Sequence, residues 1–403
     1  TWRNLRHKLT PIFTTGKLKG MIEQICNSGE DLMNEIEKSI EHKIPVDAKN
    51  LGIGFTIDVI ASCAFGLQFK RDTPEGKQFR KMIDSFFHPS MLQTLRIIVV
   101  FFCEGLAKLL GLRQVPQHIN DYIIGLVKQT MQFREKNNIQ RADFMQLMMS
   151  MKDQRTEGND NNWKNELNGD DEYLNQMDYS SQNEKSQTGL RGMTDECIAA
   201  QAFIFLAAGS DPVANTIAFV LYELAFSPLV QKQLQQEIDL VLQKNGGNIS
   251  YEALSKMAYL DSVIQETNRK YSLAGFMRRE CTIPFQIPDT DVVIEKGTKI
   301  LIPMYAIQND PSIYPEPEKF IPERFEGNNH RSNGGKYLPF GDGPRICIAM
   351  RFALLEVKAC VAMVMSKYSV KLDQKTQIPL HYNPKSVSPS PIGGIWIRFQ
   401  KRT

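Results

Sequence analysis

The chain has 403 residues, 42% hydrophobic and 23% charged, which is the balance of a folded globular protein. Its net charge of +3 leaves no electrostatic footprint for nucleic acid, so none is expected as a partner. Seven cysteines (Cys26, Cys63, Cys103, Cys197, Cys281, Cys347, Cys360) without C-x-x-C pairs argue against a disulfide scaffold and a structural zinc site, and for reduced thiols in a cytosol-facing protein.

The length exceeds one simple core, so a large single fold or two domains is expected. The first turns carry Trp2, Arg6, Leu9 and Phe13 at helical spacing, with Trp2 and Arg6 on one face. The chain starts inside what reads as a helix, and is expected to lack its true N-terminus. An amphipathic helix is predicted from Lys17 to Ile40, with Met21, Ile25, Leu32, Met33 and Ile36 inward. Val46-Asp47 is expected to cap a helix through Ile60 that ends at Gly66. A short helix over Gly76–Phe87 is stopped by Pro89. The stretch Met91–Leu112 is strongly apolar. Ile97–Leu112, read as the chain's most apolar stretch, contains Glu104 and Lys108 and is too short to span a membrane, so no signal peptide or transmembrane run is expected. Helices are predicted over Gln117–Lys136 and Ala142–Lys152. Residues 153–191 are polar and without period, which predicts a mobile surface loop.

Thr194 starts the longest helical pattern, to about Phe226, with Asp195 and Glu196 in its first turn. Gly209 and Pro212 sit in its middle. A proline there removes one helical N–H and collides with the Ala208 carbonyl, so a kink or a junction of two helices is expected. Helices follow over Pro228–Lys244 and Met257–Lys270; the second carries Glu266 and Arg269, three apart on one face. Cys281–Met304 alternates with turn signals and reads as small antiparallel strands. Pro315–Phe325, with Arg324, is too proline-rich for a helix. Pro339–Phe352 reads Pro-Phe-Gly-Asp-Gly-Pro-Arg-Ile-Cys-Ile-Ala-Met-Arg-Phe: a glycine-rich loop delivering Cys347 to the start of an apolar helix, Ala349 to about Lys367. Helix amides beside that sulfur favour a thiolate. Closing strands are predicted at Tyr368–Asp373 and Gly394–Gln400.

Phe340, Gly343, Arg345 and Cys347 at this spacing resemble the ligand loop of the cytochrome P-450 family, the haem-thiolate monooxygenases. Trp2-Arg-Asn-Leu-Arg6, Ala208-Gly-Ser-Asp211, Glu266-x-x-Arg269 and Pro322-Glu-Arg324-Phe match the family's other motifs in order. The surrounding sequence is similar to insect microsomal members of the clan that handles xenobiotics. The resemblance implies a mainly α fold with small β-sheets: one domain over 1–403, lacking its N-terminal anchor and first elements, with a long kinked central helix over the haem.

By that resemblance Cys347 is the iron ligand of haem b, Phe340 shields the sulfur, and Arg345, Trp2 and Arg6 meet propionates. Glu266, Arg269 and Arg324 form a buried network behind the loop. Ala208, Gly209 and Asp211 belong to the oxygen-binding segment, and Phe205 and Ala207 to the substrate pocket. Pro212 stands where the family has a threonine that serves proton delivery, a task left to Asp211 and water. Ala349 stands where it has glycine, and Ser272–Gly275 replaces a proline-rich turn, which implies an unusual substrate shape or a looser pocket. The implied partners are a hydrophobic small molecule, NADPH-cytochrome reductase docking on Lys336, Arg345, Arg351 and Lys358, and cytochrome b5. The implied location is the cytoplasmic face of the endoplasmic reticulum membrane, held by the missing N-terminus and the 91–112 region. Two other readings stay open because of Pro212: a reductase-independent peroxide-rearranging haem enzyme, and a haem-binding protein with little activity.

Overall fold

The computed structural model describes residues 2–67, 73–87, 91–113, 115–141, 143–153, 193–328, 334–383 and 388–402. The expected loop 153–191 lies, after Asp153, outside the described residues, as does Pro89.

Helix α1 (Trp2–Leu9) passes into a 3₁₀ turn over Thr10–Phe13, opened by Pro11, whose missing N–H costs nothing in a first turn. Helix α2 (Thr15–Glu41) buries Met21, Ile25, Leu32 and Ile36 along one stripe, as their spacing requires. The Asp47 carboxylate accepts from the Asn50 N–H at 2.8 Å and starts α3 (Ala48–Ile60). A π-helical turn, Ala61–Phe65, continues α3 and ends at Gly66, whose φ is 66°. Only glycine serves there: an added Cβ would meet Arg134 Nη2 at 1.7 Å.

Arg134 lies on α7 (Gln117–Asn137), after α4 (Pro74–Phe87), α5 (Met91–Phe102) and α6 (Glu104–Leu109). It makes a buried two-point pair with Asp143, at 2.9 and 2.5 Å. Asp143 also accepts from the Gln146 N–H at 2.9 Å and starts α8 (Phe144–Asp153). The apolar stretch Met91–Leu112 is thus two helices.

Helix α9 (Asp195–Phe226) runs 32 residues without interruption through Pro212. The junction of two helices considered from the sequence is therefore absent. Gly209 has a packing reason: an added Cβ would lie 2.9 Å from Ile60 Cδ1. Then come α10 (Pro228–Lys244), a short α11 (Tyr251–Ser255) capped by Ser250, and α12 (Ala258–Lys270). The strands β2 (Met277–Glu280) and β5 (Lys299–Ile302) form one antiparallel pair, β3 (Phe285–Gln286) and β4 (Val293–Ile294) another. A third sheet orders β1 (Val46–Asp47), β7 (Trp396–Lys401) and β6 (Tyr368–Leu372). Helix α13 (Met304–Gln308) follows β5, and α14 (Met350–Lys367) follows the cysteine loop. Pro322–Asn328, expected to be irregular, begins as a 3₁₀ turn, which tolerates Pro at its start.

The chain divides into two compact units, Thr1–Ser28 with Gly54–Asp211, and Gly29–Ile53 with Pro212–Thr403. Ala48–Phe65 and α9, read from the sequence as helices but not as transmembrane runs, are long and apolar enough to cross a membrane. They are 78% and 61% buried over their most apolar windows, the surroundings of core helices.

Candidate active site

The loop that presents Cys347 is shaped by its own backbone. Leu338 O accepts from Gly341 N at 3.0 Å, and Gly343 O accepts from Ile346 N at 2.9 Å. Gly341 and Gly343 have φ of 78° and 70°, a conformation that costs other residues roughly 1–2 kcal/mol. The Asp342 carboxylate accepts from Gly343 N at 2.7 Å, and Cys347 N donates to Phe340 O at 2.9 Å. Cys347 is half-buried and in no disulfide, and Arg345 is exposed in the 3₁₀ turn Gly343–Arg345. A Cβ at Gly343 would meet no atom within 4 Å, so the loop leaves room for a flat group against its backbone. A soft, accessible sulfur on a glycine-opened loop suits a haem iron. Ala349 caps α14 with φ −96°, so the backbone there does not require glycine.

Behind the loop, Glu266 and Arg269 on α12 are fully buried and joined by two bonds, Nε to Oε2 at 2.7 Å and Nη2 to Oε1 at 2.9 Å. Arg269 also donates to Gln308 O at 3.0 Å and Pro317 O at 2.7 Å, and its guanidinium lies 5.4 Å from the Tyr314 ring centre. Ile321 N donates to Glu266 Oε1 at 3.0 Å. Arg324 Nε stands 3.4 Å from the same oxygen, an ion-pair distance, while its Nη2 donates to Pro315 O at 2.5 Å and Glu316 O at 3.0 Å. The structure thus brings Glu266, Arg269 and Arg324 together. Sequence reasoning missed Gln308, Tyr314 and Tyr337, whose OH donates to Gln265 O at 3.2 Å. Nothing in the local pattern of those three residues marks them.

Along α9, Ile204 and Ala208 are exposed while Ala207, Gly209, Asp211 and Pro212 are half-buried. Ile204, Ala208 and Asp211 to Pro212 follow helical spacing and form one accessible face on a largely buried helix. Phe205, assigned to the pocket from sequence, points the other way. It stacks on Phe144 at 4.9 Å with parallel rings and lies 5.7 Å from Phe13, inside the core. The face was misjudged because an apolar helix carries no period to orient it. Thr216 Oγ1 donates to Pro212 O at 3.1 Å and lies 3.4 Å from Asn268 Oδ1.

Trp2 and Arg6 share a face, the guanidinium 5.8 Å from the indole centre. Of the expected docking residues, Lys336 and Arg345 are exposed, but Arg351 donates to Tyr251 OH at 3.0 Å and Lys358 is buried against Asp261 at 2.8 Å. Lys358 is therefore a structural cation. In the Ser272–Gly275 turn, Ser272 Oγ donates to Ala274 O at 2.8 Å, and Gly275 O accepts from Tyr305 N at 3.1 Å.

These features meet the comparisons with known proteins. A family sequence model described as Cytochrome P-450 matches residues 1–396. The chain is 35% identical to probable cytochrome P-450 6a14 of Drosophila melanogaster, over 99% of this chain and 75% of that protein. It is 33% identical to cytochrome P-450 6d1 of Musca domestica, over 100% and 77%. It is also 33% identical to cytochrome P-450 6B1 of Papilio polyxenes, over 100% and 76%. The chain belongs to the cytochrome P-450 family. It is a haem-thiolate monooxygenase, an oxidoreductase with a mainly α fold and small antiparallel sheets.

Proposed function

We propose that the protein holds haem b through Cys347 and inserts one oxygen atom of O₂ into a hydrophobic small molecule, a xenobiotic, lipid or hormone-like compound. The observation that carries this reading is the cysteine loop, whose two left-handed glycines and Phe340–Cys347 bond present one accessible sulfur. Bound haem would supply dioxygen activation, which a thiolate ligand favours by pushing electron density toward the metal. Phe340 shields the sulfur, Arg345 with Trp2 and Arg6 meets the propionates, and Glu266, Arg269 and Arg324 keep the loop in place. The accessible face of α9, with Ile204, Ala207 and Ala208, contacts the apolar substrate, and Asp211 beside Gly209 hands on protons through water. The two units belong to a single P-450 domain.

Electrons come from NADPH through a flavoprotein reductase, with cytochrome b5 as a second donor. Lys336 and Arg345, both exposed, support an acidic partner there. Leu92 and Leu109, 80% and 82% exposed on α5 and α6, support contact of that region with the endoplasmic reticulum membrane on its cytoplasmic face. A second reading is favoured by Pro212. This residue supplies no hydroxyl, and the next one along the helix, Thr216, already donates to Pro212 O. An enzyme of this kind would rearrange ready-made peroxides without a reductase.

The reduced, carbon monoxide-treated protein is expected to show the red-shifted thiolate band, and Cys347→Ala to lose it. Product formed with NADPH and reductase supports the monooxygenase. Product formed only from lipid hydroperoxide replaces it with the second reading.

A further inference from the structure

We infer that Gln308 is a positioning residue for Cys347, the link by which the buried Glu266–Arg269 pair sets the placement of the cysteine loop. The inference rests on Cys347 as haem ligand. Gln308 is fully buried, and both polar atoms of its side chain are used. Its Nε2 donates to Asn268 O at 3.1 Å and Arg269 O at 3.2 Å, two carbonyls in the last turn of α12 that the helix itself leaves without donors. Its Oε1 accepts from Leu338 N at 2.8 Å, and its backbone carbonyl accepts from Arg269 Nη1 at 3.0 Å. Two carbonyls on one side and an N–H on the other admit only this orientation of the amide.

Leu338 is where the chain turns into the loop. Its carbonyl accepts from Gly341 N at 3.0 Å, and Phe340 O then accepts from Cys347 N at 2.9 Å. Four hydrogen-bonded steps therefore run from the end of α12 through the Gln308 amide to the Cys347 backbone. Tyr337 adds a tie to Gln265 O at 3.2 Å, through a single hydroxyl. Removing the Gln308 amide leaves the buried Leu338 N–H without its acceptor, and a buried unsatisfied donor is relieved by moving the chain that carries it. The loop then shifts against α12 and carries the Cys347 sulfur out of its place.

A control exists within the same unit. Gln231 on α10 is buried and bonded in the same pattern: Nε2 donates to Leu224 O at 2.8 Å and Val370 O at 3.0 Å, and Oε1 accepts from Val370 N at 2.8 Å. It ties β6 rather than the loop. The test compares Gln308→Met, Gln308→Asn and Gln231→Met by melting temperature, haem retained after gel filtration and the carbon monoxide band of the reduced protein. Gln308→Met is expected to transfer most of the band from the thiolate position to the shorter-wavelength position of a neutral sulfur ligand. Gln308→Asn, one methylene too short to reach Leu338 while still bonding α12, is expected to transfer a smaller share, and it serves if Gln308→Met does not fold. Gln231→Met is expected to lower the melting temperature by a similar amount with its thiolate band intact. The inference is overturned if both Gln308 variants keep the band, or if Gln231→Met loses it to the same extent. A wild-type protein without the thiolate band would instead defeat the haem reading itself.

Discussion

The segment from α12 to the cysteine loop and the accessible face of α9 are built on opposite principles. In the first, Glu266, Arg269, Gln308 and Leu338 are tied by hydrogen bonds of 2.7 to 3.2 Å, with little freedom left in any member. In the second, Ile204, Ala208 and Pro212 offer small or apolar surface, and none of their side chains can form a hydrogen bond. Polar bonds fix direction, whereas apolar contact fixes only volume.

The largest effect should come from breaking the polar side. Arg269→Ala strands the buried Glu266 carboxylate and is expected to cost about 3–5 kcal/mol, read by denaturant unfolding. A loss below about 1 kcal/mol would mean that the segment is not held as its bonds indicate. On α9 the sign reverses. Pro212→Ala restores an N–H toward Ala208 O and should stabilise the protein by up to about 3 kcal/mol, with no gain meaning that the helix has fully relaxed around the proline. Pro212→Thr should also raise product formed per NADPH consumed; an unchanged ratio would show that the hydroxyl is not limiting.

Glu356 sharpens the comparison as an exception within the polar half. It is fully buried on α14, and among the described residues neither carboxyl oxygen has a hydrogen-bond partner. Burial pushes its carboxyl well above the usual carboxylate range. The folded state therefore keeps a proton that the unfolded chain releases above its ordinary pKa of about 4.3. Stability relative to Glu356→Gln should fall as pH rises from there toward the raised value, by up to about 1.4 kcal/mol per pH unit. Paired melting curves between pH 5 and 8 read this. A constant difference would mean that the carboxyl titrates normally. The smallest effect is expected at Ala349→Gly: with φ at −96° the alanine is unstrained, so the change should cost no more than about 1 kcal/mol and leave the carbon monoxide band in place.

Much of this was legible beforehand because the signals were local. Helix limits at Gly66, Thr194 and Lys367 follow from caps and turn residues, and the structure puts them within one or two positions of the reading. Glu266 and Arg269 share a face by spacing alone, but that they meet Arg324 depended on the family resemblance. Short pieces escaped: β1 has two residues and α11 five, too few for a period to show. The assignment of Phe205 failed for the same reason on a larger scale. A helix apolar on every side states that it is buried, not which side is open.

The sequence by itself determined the helical character, the cysteine loop with its glycines, the order of the motifs and hence the family, because each depends on residues close together or on residue type alone. Only the tertiary structure decided that Pro212 lies in an unbroken helix, that Lys358 is consumed by Asp261 and that Phe205 packs inward. It alone placed Gln308 between α12 and Leu338. Those outcomes turn on which side chain meets which partner 30 to 97 residues away, and such pairings are set by packing and hydrogen-bond satisfaction across the fold, which no local pattern encodes.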